Sequence, residues 1–176
     1  MTSDEALDLI RDAVVRPGGT WADLGAGSGT FTWALATLLG PGGIVHAVDR
    51  DAPSLRALAQ SGNPTRSAAT ISTIVGDFTK PIALSNLDGV IIANALHYVA
   101  YADQPRVIEQ IASMLVVDAP IVIIEYDRRG ANKWVPYPLP IVALTQLAHG
   151  AGLTEPVILA RRASRYGGDL YVAVVR

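Results

Sequence analysis

Residues 20–31, Thr-Trp-Ala-Asp-Leu-Gly-Ala-Gly-Ser-Gly-Thr-Phe, decide the fold of this chain. An apolar run typical of a buried strand contains Asp23 near its end. Three glycines follow at alternate positions, Gly25, Gly27 and Gly29, and a helical pattern begins directly after them. Glycine allows positive φ and has no Cβ, so a ligand can lie against such a loop. Because the first N–H groups of a helix lack partners within it, the stretch predicts a strand, a ligand-binding turn and a helix.

The spacing of these glycines differs from that of two common phosphate-binding loops. The dinucleotide pattern G-x-G-x-x-G/A fails, because the sixth position is Thr30 when counted from Gly25 and Thr32 when counted from Gly27. The P-loop pattern also fails, because no Gly-Lys-Ser/Thr occurs in the sequence. A carboxylate at Asp23 would repel a pyrophosphate, whereas it suits a ligand with an ammonium group. An NAD-dependent oxidoreductase therefore stays only as an alternative.

A second apolar run, residues 44–48, also ends in an acid, Asp49. This acid follows the glycine loop by about 20 residues, which is the spacing of carboxylates that bind ribose hydroxyls. A carboxylate can accept two hydroxyl hydrogen bonds at once. Arg50 or Asp51 would take this role if the register differs by one residue, and a solvated residue at the strand end is the alternative.

In chain order, these features resemble the motifs of the class I S-adenosylmethionine-dependent methyltransferases. The glycine loop resembles motif I of that family, and residues 76–78, Gly-Asp-Phe, stand where the family contacts adenine. Residues 87–99 resemble its fourth strand and the segment beside the reacting centre, while residues 121–126 and 170–175 resemble its fifth and last strands. The resemblance covers nearly the whole chain and implies S-adenosylmethionine as cofactor and methyl transfer as activity.

The resemblance also implies a set of cofactor-binding residues. Asp49 would hold the ribose hydroxyls, Asp77 would accept the adenine amino group, and Phe78 would flank the ring. A plain Gly-Asp turn is the alternative for Asp77, and a turn cap is the alternative for Asn94. The full expected set is Asp23, Gly25, Gly27, Gly29, Asp49, Arg50, Asp77, Phe78 and Asn94.

Two residues are candidates for the chemistry on the acceptor side. His97 follows the fourth strand and has a side chain suited to act as general base toward a hydroxyl or amine, with a purely structural histidine as the alternative. Tyr126 ends the fifth strand, and we expect it and the aromatic loop up to Tyr137 to border the acceptor, unless that loop only packs on the core. Residues 94–97, Asn-Ala-Leu-His, differ from the Asn/Asp-Pro-Pro-Tyr/Phe signature of enzymes that methylate exocyclic amines of bases.

Composition narrows the class of protein further. The chain has 176 residues, half of them hydrophobic and 17% charged, which predicts one ordered domain over residues 1–176. A net charge of −2 gives no general attraction to nucleic acid, so a small-molecule acceptor is expected. The oligomeric state stays open, since the second subunit of a homodimer could close an uncovered acceptor site. A binding module without catalysis is a further alternative.

The sequence contains no cysteine, which excludes disulfides and thiolate metal ligands. Its three histidines, His46, His97 and His149, lack metal-ligand spacing, so we expect no metal. No apolar run approaches the ~20 residues of a membrane span, and the first residues are acidic and unlike a signal peptide. We therefore expect a cytoplasmic protein.

Short apolar strands alternate with helical runs, which predicts a doubly wound, Rossmann-like α/β sheet of seven strands. The last two predicted strands, residues 157–160 and 170–175, are joined by too few residues for a crossover helix and should form an antiparallel hairpin on a mostly parallel sheet. Helices are predicted over residues 3–15 and 104–115, among others.

Overall fold

The structure is a computed structural model and describes residues 1–61, 68–164 and 168–176. Within these ranges, seven strands form one sheet. They are β1 (Gly19–Leu24), β2 (Gly43–Asp49), β3 (Thr70–Val75), β4 (Gly89–Ala93), β5 (Ile121–Asp127), β6 (Val157–Ala163) and β7 (Asp169–Val175). The strand order is β3-β2-β1-β4-β5-β7-β6.

Five α-helices accompany these strands in the described ranges. They are α1 (Ser3–Ile10), α2 (Thr30–Leu39), α3 (Ala52–Gln60), α4 (Gln104–Ala112) and α5 (Ile141–Gly150). A short 3-10 turn, Leu96–Tyr98, follows β4 and was not predicted from the sequence.

The predicted doubly wound sheet with its antiparallel hairpin is confirmed. Strands β1 to β5 pair in parallel, whereas β7 runs antiparallel to both β5 and β6. The chain moves outward through β1, β2 and β3 and then returns to the other side of β1 with β4. This reversal creates a crevice at the carboxyl ends of β1 and β4, where open α/β sheets bind ligands.

The two faces of the sheet bury separate apolar cores. Along β4, Ile91 faces the core formed with α1 and α2, while Ile92 faces the core formed with α4 and α5. In β5, Val122 and Ile123 divide between the same two cores. This alternation follows from the two-residue period of a strand and explains why these strands read as continuous apolar runs.

Two predicted helices were too long, for the same physical reason. α1 ends at Ile10 instead of residue 15, and α4 ends at Ala112 instead of residue 115. After each helix the backbone tightens into bonds between residues three apart, from the Ala13 N–H to the Ile10 carbonyl and from the Leu115 N–H to the Ala112 carbonyl. Leu115 then forms a parallel bridge with Leu87, which ends helical hydrogen bonding there.

Candidate functional site

The glycine loop lies between β1 and α2, at the crevice between the strand ends. Gly25, Gly27 and Gly29 have φ of +83°, +52° and +92°, which residues with a side chain rarely adopt. The Gly25 N–H donates to the Val48 carbonyl at 2.9 Å, and the Gly29 N–H donates to the Ala26 carbonyl at 2.9 Å. The loop is therefore tied to β2 and closed on itself before α2 begins.

The three glycines differ in what surrounds them. A Cβ on Gly25 would lie 2.5 Å from the Cβ of Ala95, and one on Gly29 would lie 2.3 Å from a methyl of Leu58. A Cβ on Gly27 would meet no atom of the described residues within 4 Å. Gly25 and Gly29 are thus required for packing, whereas Gly27 exposes its backbone to open space, where a ligand can approach it closely.

Two cavities meet at this loop. The smaller, about 210 Å³, is bordered by Asp49, Asp77, Phe78 and Tyr98, and we call it the Asp77 cavity. The larger, about 570 Å³, is bordered by Asp23, Gly27, Phe31, Tyr126, Arg162 and Leu170, and we call it the Tyr126 cavity. Gly25 and Asn94 line both cavities, so the two form adjoining parts of one cleft.

Most of the predicted binding residues line this cleft. Asp23, Gly25, Gly27, Asp49, Arg50, Asp77, Phe78 and Asn94 border one or both cavities. Gly29 borders neither among the described residues and instead makes room for Leu58 of α3. Its predicted contact with the cofactor stays a prediction, while its packing role follows from the geometry.

Asp49 connects the end of β2 with the glycine loop. Its Oδ2 accepts a hydrogen bond of 2.7 Å from the Gly27 N–H, and its Oδ1 accepts one of 2.8 Å from the Asp51 N–H. Each carboxylate oxygen can accept a second hydrogen bond. Asp49 can therefore shape the loop and still receive hydroxyl donors from the Asp77 cavity.

Asp77 forms a local turn and also borders its cavity. Its Oδ1 accepts hydrogen bonds from the Thr79 hydroxyl at 2.6 Å and the Thr79 N–H at 2.9 Å. The hydroxyl bond is the main cause that lowers the pKa of Asp77, with help from the charges of Lys80 and Arg50. The turn and ligand interpretations are compatible, because Oδ2 has no role in this turn.

Asp23 is a buried carboxylate with one satisfied oxygen. Its Oδ2 accepts a 2.6 Å hydrogen bond from the hydroxyl of Thr32, which is also buried. Its Oδ1 has no hydrogen-bond partner among the described residues. Burial raises the pKa of Asp23 to about 7, with the charge of Asp49 adding to the increase and the Thr32 bond opposing it.

Asn94 presents a second unsatisfied acceptor at the junction of the two cavities. Its φ of 53° is a left-handed conformation that asparagine tolerates. Its backbone N–H donates to the Ile124 carbonyl, but its Oδ1 is buried without a partner in the described part of the chain. Buried acceptors normally have donors, so Asn94 and Asp23 indicate a ligand that donates hydrogen bonds near Gly25. An amino acid ammonium group fits both, and the free lone pairs of Asp49 suit the hydroxyls of a ribose.

His97 lies behind the wall of the cleft and not in it. The residue is 2% exposed, and it lines neither cavity among the described residues. Its Nδ1 is 2.7 Å from Oε2 of Glu125, and its backbone N–H donates to Oε1 of Glu125 at 3.2 Å. The structure therefore does not bring the predicted general base to the cleft, and Nε2 is the ring nitrogen outside this pair.

Glu125 stands beside Tyr126 at the end of β5, and the sequence reasoning assigned it no specific role. It is the only acid in the buried part of β5 and is fully buried. A signal was available, since a carboxylate inside the run Ile-Val-Ile-Ile-Glu needs a buried partner. The sequence predicts no pairing with His97, because it does not show that the two segments are adjacent.

Tyr126 does border the larger cavity, together with residues that the sequence did not indicate. The Arg162 guanidinium of β6 pairs with the Glu5 carboxylate of α1 at 2.6 Å, and both residues line the same cavity. The rest of the predicted aromatic wall lies elsewhere, because Trp134 and Tyr137 line neither cavity in the described ranges. Tyr137 instead packs edge-on against Tyr101, with ring centroids 5.4 Å apart.

Two other kinds of site are absent from the described residues. No helix there is long and apolar enough to cross a membrane. In the same ranges, no three acidic or histidine side chains come together as a potential metal site.

Comparison with known proteins identifies the family. The family profile described as "Methyltransferase domain" matches residues 22–118, more than half of the chain. The chain is 31% identical over 115 residues to nocamycin O-methyltransferase of Saccharothrix syringae, covering 65% of this chain and 39% of that protein. It is 50% identical over 54 residues to ribosomal RNA small subunit methyltransferase H of Acidobacterium capsulatum, covering 31% of this chain and 18% of that protein.

A solved structure shows the same fold. The Burkholderia thailandensis 1,6-didemethyltoxoflavin-N1-methyltransferase, with bound 1,6-didemethyltoxoflavin and S-adenosylhomocysteine, superposes with a TM-score of 0.73 at 23% identity. The alignment covers 98% of this chain and 76% of that one. The present chain spans less than half the length of the two curated relatives. It belongs to the methyltransferase domain family, in the class I fold that uses S-adenosylmethionine as cofactor.

Proposed function

We propose that this chain transfers a methyl group from S-adenosylmethionine to a small-molecule acceptor. The observation that carries the proposal is the pair of cavities that meet at Gly25 and Asn94. One cavity offers carboxylates suited to an adenosine, and the other offers buried acceptors and additional volume. A donor and an acceptor can therefore be held against each other across one loop, and such alignment can supply ~7–11 kcal/mol of a barrier.

The Asp77 cavity is assigned to the adenosine part of the cofactor. Asp49 accepts the ribose hydroxyls with the lone pairs that Gly27 and Asp51 leave free. Asp77 accepts the adenine amino group through Oδ2, and Phe78 borders the ring. Arg50 lines the same cavity, and we assign it a contact with the cofactor beside Asp49.

The glycine loop is assigned to the methionine part. Asp23 and Asn94 accept hydrogen bonds from the ammonium group through the two oxygens that have no donor among the described residues. Gly27 leaves the backbone accessible on the open side of the loop. When bound, the cofactor supplies an electrophilic methyl on its sulfonium, so the chain needs no covalent intermediate of its own.

The remainder of the Tyr126 cavity is assigned to the acceptor. The whole Tyr126 cavity, shared with the methionine part of the cofactor, has a volume of about 570 Å³, within the ~300–1,000 Å³ range of small-molecule pockets. Phe31 and Leu170 supply apolar surface, while Tyr126 supplies a phenol that can orient a polar acceptor atom. The O-methyltransferase relative supports a small acceptor.

An RNA acceptor is the second candidate, because the chain also resembles a ribosomal RNA methyltransferase over 54 residues. That match covers only 18% of the relative. The net charge of −2 provides no excess of cations for phosphate contacts. The small-molecule proposal is therefore the stronger one.

The test is to incubate the protein with S-adenosylmethionine labelled in its methyl group and a fractionated cell extract. We expect the label in the small-molecule fraction, and only when active protein is present. Label in RNA or protein would contradict the proposed acceptor class. Intact binding of S-adenosylhomocysteine with no label in any fraction would favour a binding module without catalysis.

A further inference from the structure

Glu125 directs both of its carboxylate oxygens to one residue. Oε2 lies 2.7 Å from Nδ1 of His97, and Oε1 accepts the His97 backbone N–H at 3.2 Å. The side chain of Glu125 is 0% exposed and that of His97 is 3% exposed. A buried carboxylate is stable only when hydrogen bonds replace its water. Here the backbone N–H and the ring nitrogen Nδ1 of a single residue meet that need.

These contacts hold the 3-10 turn Leu96–Tyr98 in place from two sides. Glu125 of β5 binds the backbone N–H of His97, and the carbonyl of His97 accepts the Tyr137 N–H at 3.0 Å. Only Ala95 stands between this turn and Asn94, which borders both cavities. The position of this wall of the cleft thus depends on the Glu125 carboxylate.

The imidazole of His97 contacts two tyrosines that border different cavities. Its centroid is 4.3 Å from the ring of Tyr98, which lines the Asp77 cavity. It is 5.8 Å from the ring of Tyr126, which lines the Tyr126 cavity. A change in the orientation of this one imidazole would therefore alter both parts of the cleft.

We propose that Glu125 is a positioning residue, which fixes His97 as the tautomer with a proton on Nδ1 and so sets Tyr98 and Tyr126 on the two sides of the cleft. The role assigned to the two cavities rests on the proposed function. The tautomer and the orientation of the ring do not, because they follow from the hydrogen bonds alone. His97 accordingly acts through the tyrosines and not as a base in contact with substrate.

The variant Glu125→Gln tests the tautomer with little change in shape. The side-chain oxygen of the new glutamine must accept the His97 backbone N–H, because the glutamine NH₂ group is also a donor and cannot accept that bond. The amide nitrogen then faces Nδ1, which must become an acceptor. A single proton on the ring is thereby forced to Nε2. The variant His97→Asn is the second test. The asparagine amide can still donate to Glu125, whereas the ring is removed.

Nitrogen-15 NMR of histidine-labelled full chain distinguishes the tautomers, and the chain contains only three histidines. We expect the Nδ1–H tautomer for His97 in the wild type and the Nε2–H tautomer in Glu125→Gln. The matched control is Glu155→Gln, because Glu155 pairs with His149 at 2.7 Å on the surface. That control should leave the His97 signals unchanged. A wild-type His97 with its proton on Nε2, or a tautomer unaffected by Glu125→Gln, would overturn the proposal.

Calorimetric titration with S-adenosylhomocysteine tests the link to the cleft. We expect Glu125→Gln and His97→Asn each to weaken binding about fivefold, on the scale of one lost hydrogen bond, and Glu155→Gln to leave it unchanged. In a Tyr98→Leu background the effect of Glu125→Gln should fall below about twofold, because the ring that transmits it is gone. Undiminished binding in His97→Asn, or full additivity with Tyr98→Leu, would overturn the positioning role. Failure of the wild type to bind would instead refute the proposed function and leave the tautomer result standing.

Discussion

The carboxylate of Asp49 accepts a 2.7 Å hydrogen bond from the backbone N–H of Gly27 and thereby ties the end of β2 to the glycine loop. The same carboxylate borders the Asp77 cavity. Asp49 therefore has two functions in our account, because it shapes the loop before the cofactor arrives and accepts the ribose hydroxyls afterwards. Removing it should affect the cofactor more than removing any single acceptor that serves only the ligand.

We predict that Asp49→Ala weakens S-adenosylhomocysteine binding by roughly 1.5–3 kcal/mol, the scale of hydrogen bonds to a charged group. Asp77→Ala should weaken it less, because one bond to an exocyclic amine is lost. Isothermal titration calorimetry measures both. Asp51→Ala is the control, since its side chain accepts from Ser54 and lines neither cavity in the described ranges. A larger loss for Asp77→Ala than for Asp49→Ala would show that the ribose and adenine ends are misassigned.

We predict that Gly27→Val abolishes S-adenosylhomocysteine binding in a protein that still folds. Gly27 has open space around its Cβ position, so the cost in stability comes from its positive φ and is roughly 1–3 kcal/mol. Gly152→Val is a matched control, because Gly152 has φ of +72° and equally open surroundings, away from the cleft. Both variants should lower the melting temperature, but only Gly27→Val should lose the ligand. A folded Gly27→Val protein with normal affinity would refute the site.

We predict that S-adenosylhomocysteine binds more tightly as the pH rises through about 7, the pKa of Asp23. The ammonium group favours the ionised carboxylate, so binding should release a proton below that pH. Titrations between pH 5.5 and 8.5 (roughly one and a half units on either side) cover this range. Asp23→Asn should flatten the profile. Thr32→Val should move the midpoint upward, because the Thr32 hydroxyl lowers the pKa of Asp23. A flat wild-type profile would contradict this assignment.

The Asp23 carboxyl should make the ligand-free protein less stable as the pH rises, although it strengthens ligand binding over the same range. Burial raises the Asp23 pKa from 3.8 to about 7, so the native state binds more protons than the unfolded state between these values. The free energy of unfolding should therefore decrease as pH rises through this window and level off above about 7. Urea melts of wild type and Asp23→Asn check the sign. A contribution from Asp23 that stabilises the protein with rising pH would be incompatible with a raised pKa.

The sequence predicted the position of the glycine loop and its neighbours because the signals that place them are local. Alternating glycines, the acid of β1 and the acid of β2 each occupy a strand end, and the topology brings such ends together. The pairing of His97 with Glu125 was beyond sequence reasoning, because it depends on the relative height of β4 and β5 in the sheet. Arg162 and Glu5 were missed since an ion pair between distant segments leaves no pattern in either one.

We predict that Tyr126→Phe lowers turnover at least about tenfold once the acceptor is known, while the affinity for S-adenosylhomocysteine changes less than about twofold. The phenol borders the cavity assigned to the acceptor, so its loss should affect orientation and not cofactor binding. Tyr101→Phe is the control, because Tyr101 is exposed and contacts Tyr137 outside the cleft. Equal losses of turnover and cofactor affinity in Tyr126→Phe would place this residue in the cofactor site.

The central claim is that the cleft formed by the glycine loop, Asp49 and Asp77 binds S-adenosylmethionine. Parallel calorimetric titrations of the wild-type protein with S-adenosylhomocysteine and with NAD test it most directly. The account predicts one site for S-adenosylhomocysteine with a dissociation constant in the micromolar range or tighter, where about 1 µM corresponds to a binding free energy of about −8 kcal/mol. It predicts no measurable heat with NAD. Absence of binding by S-adenosylhomocysteine, or equal binding of NAD, would contradict it.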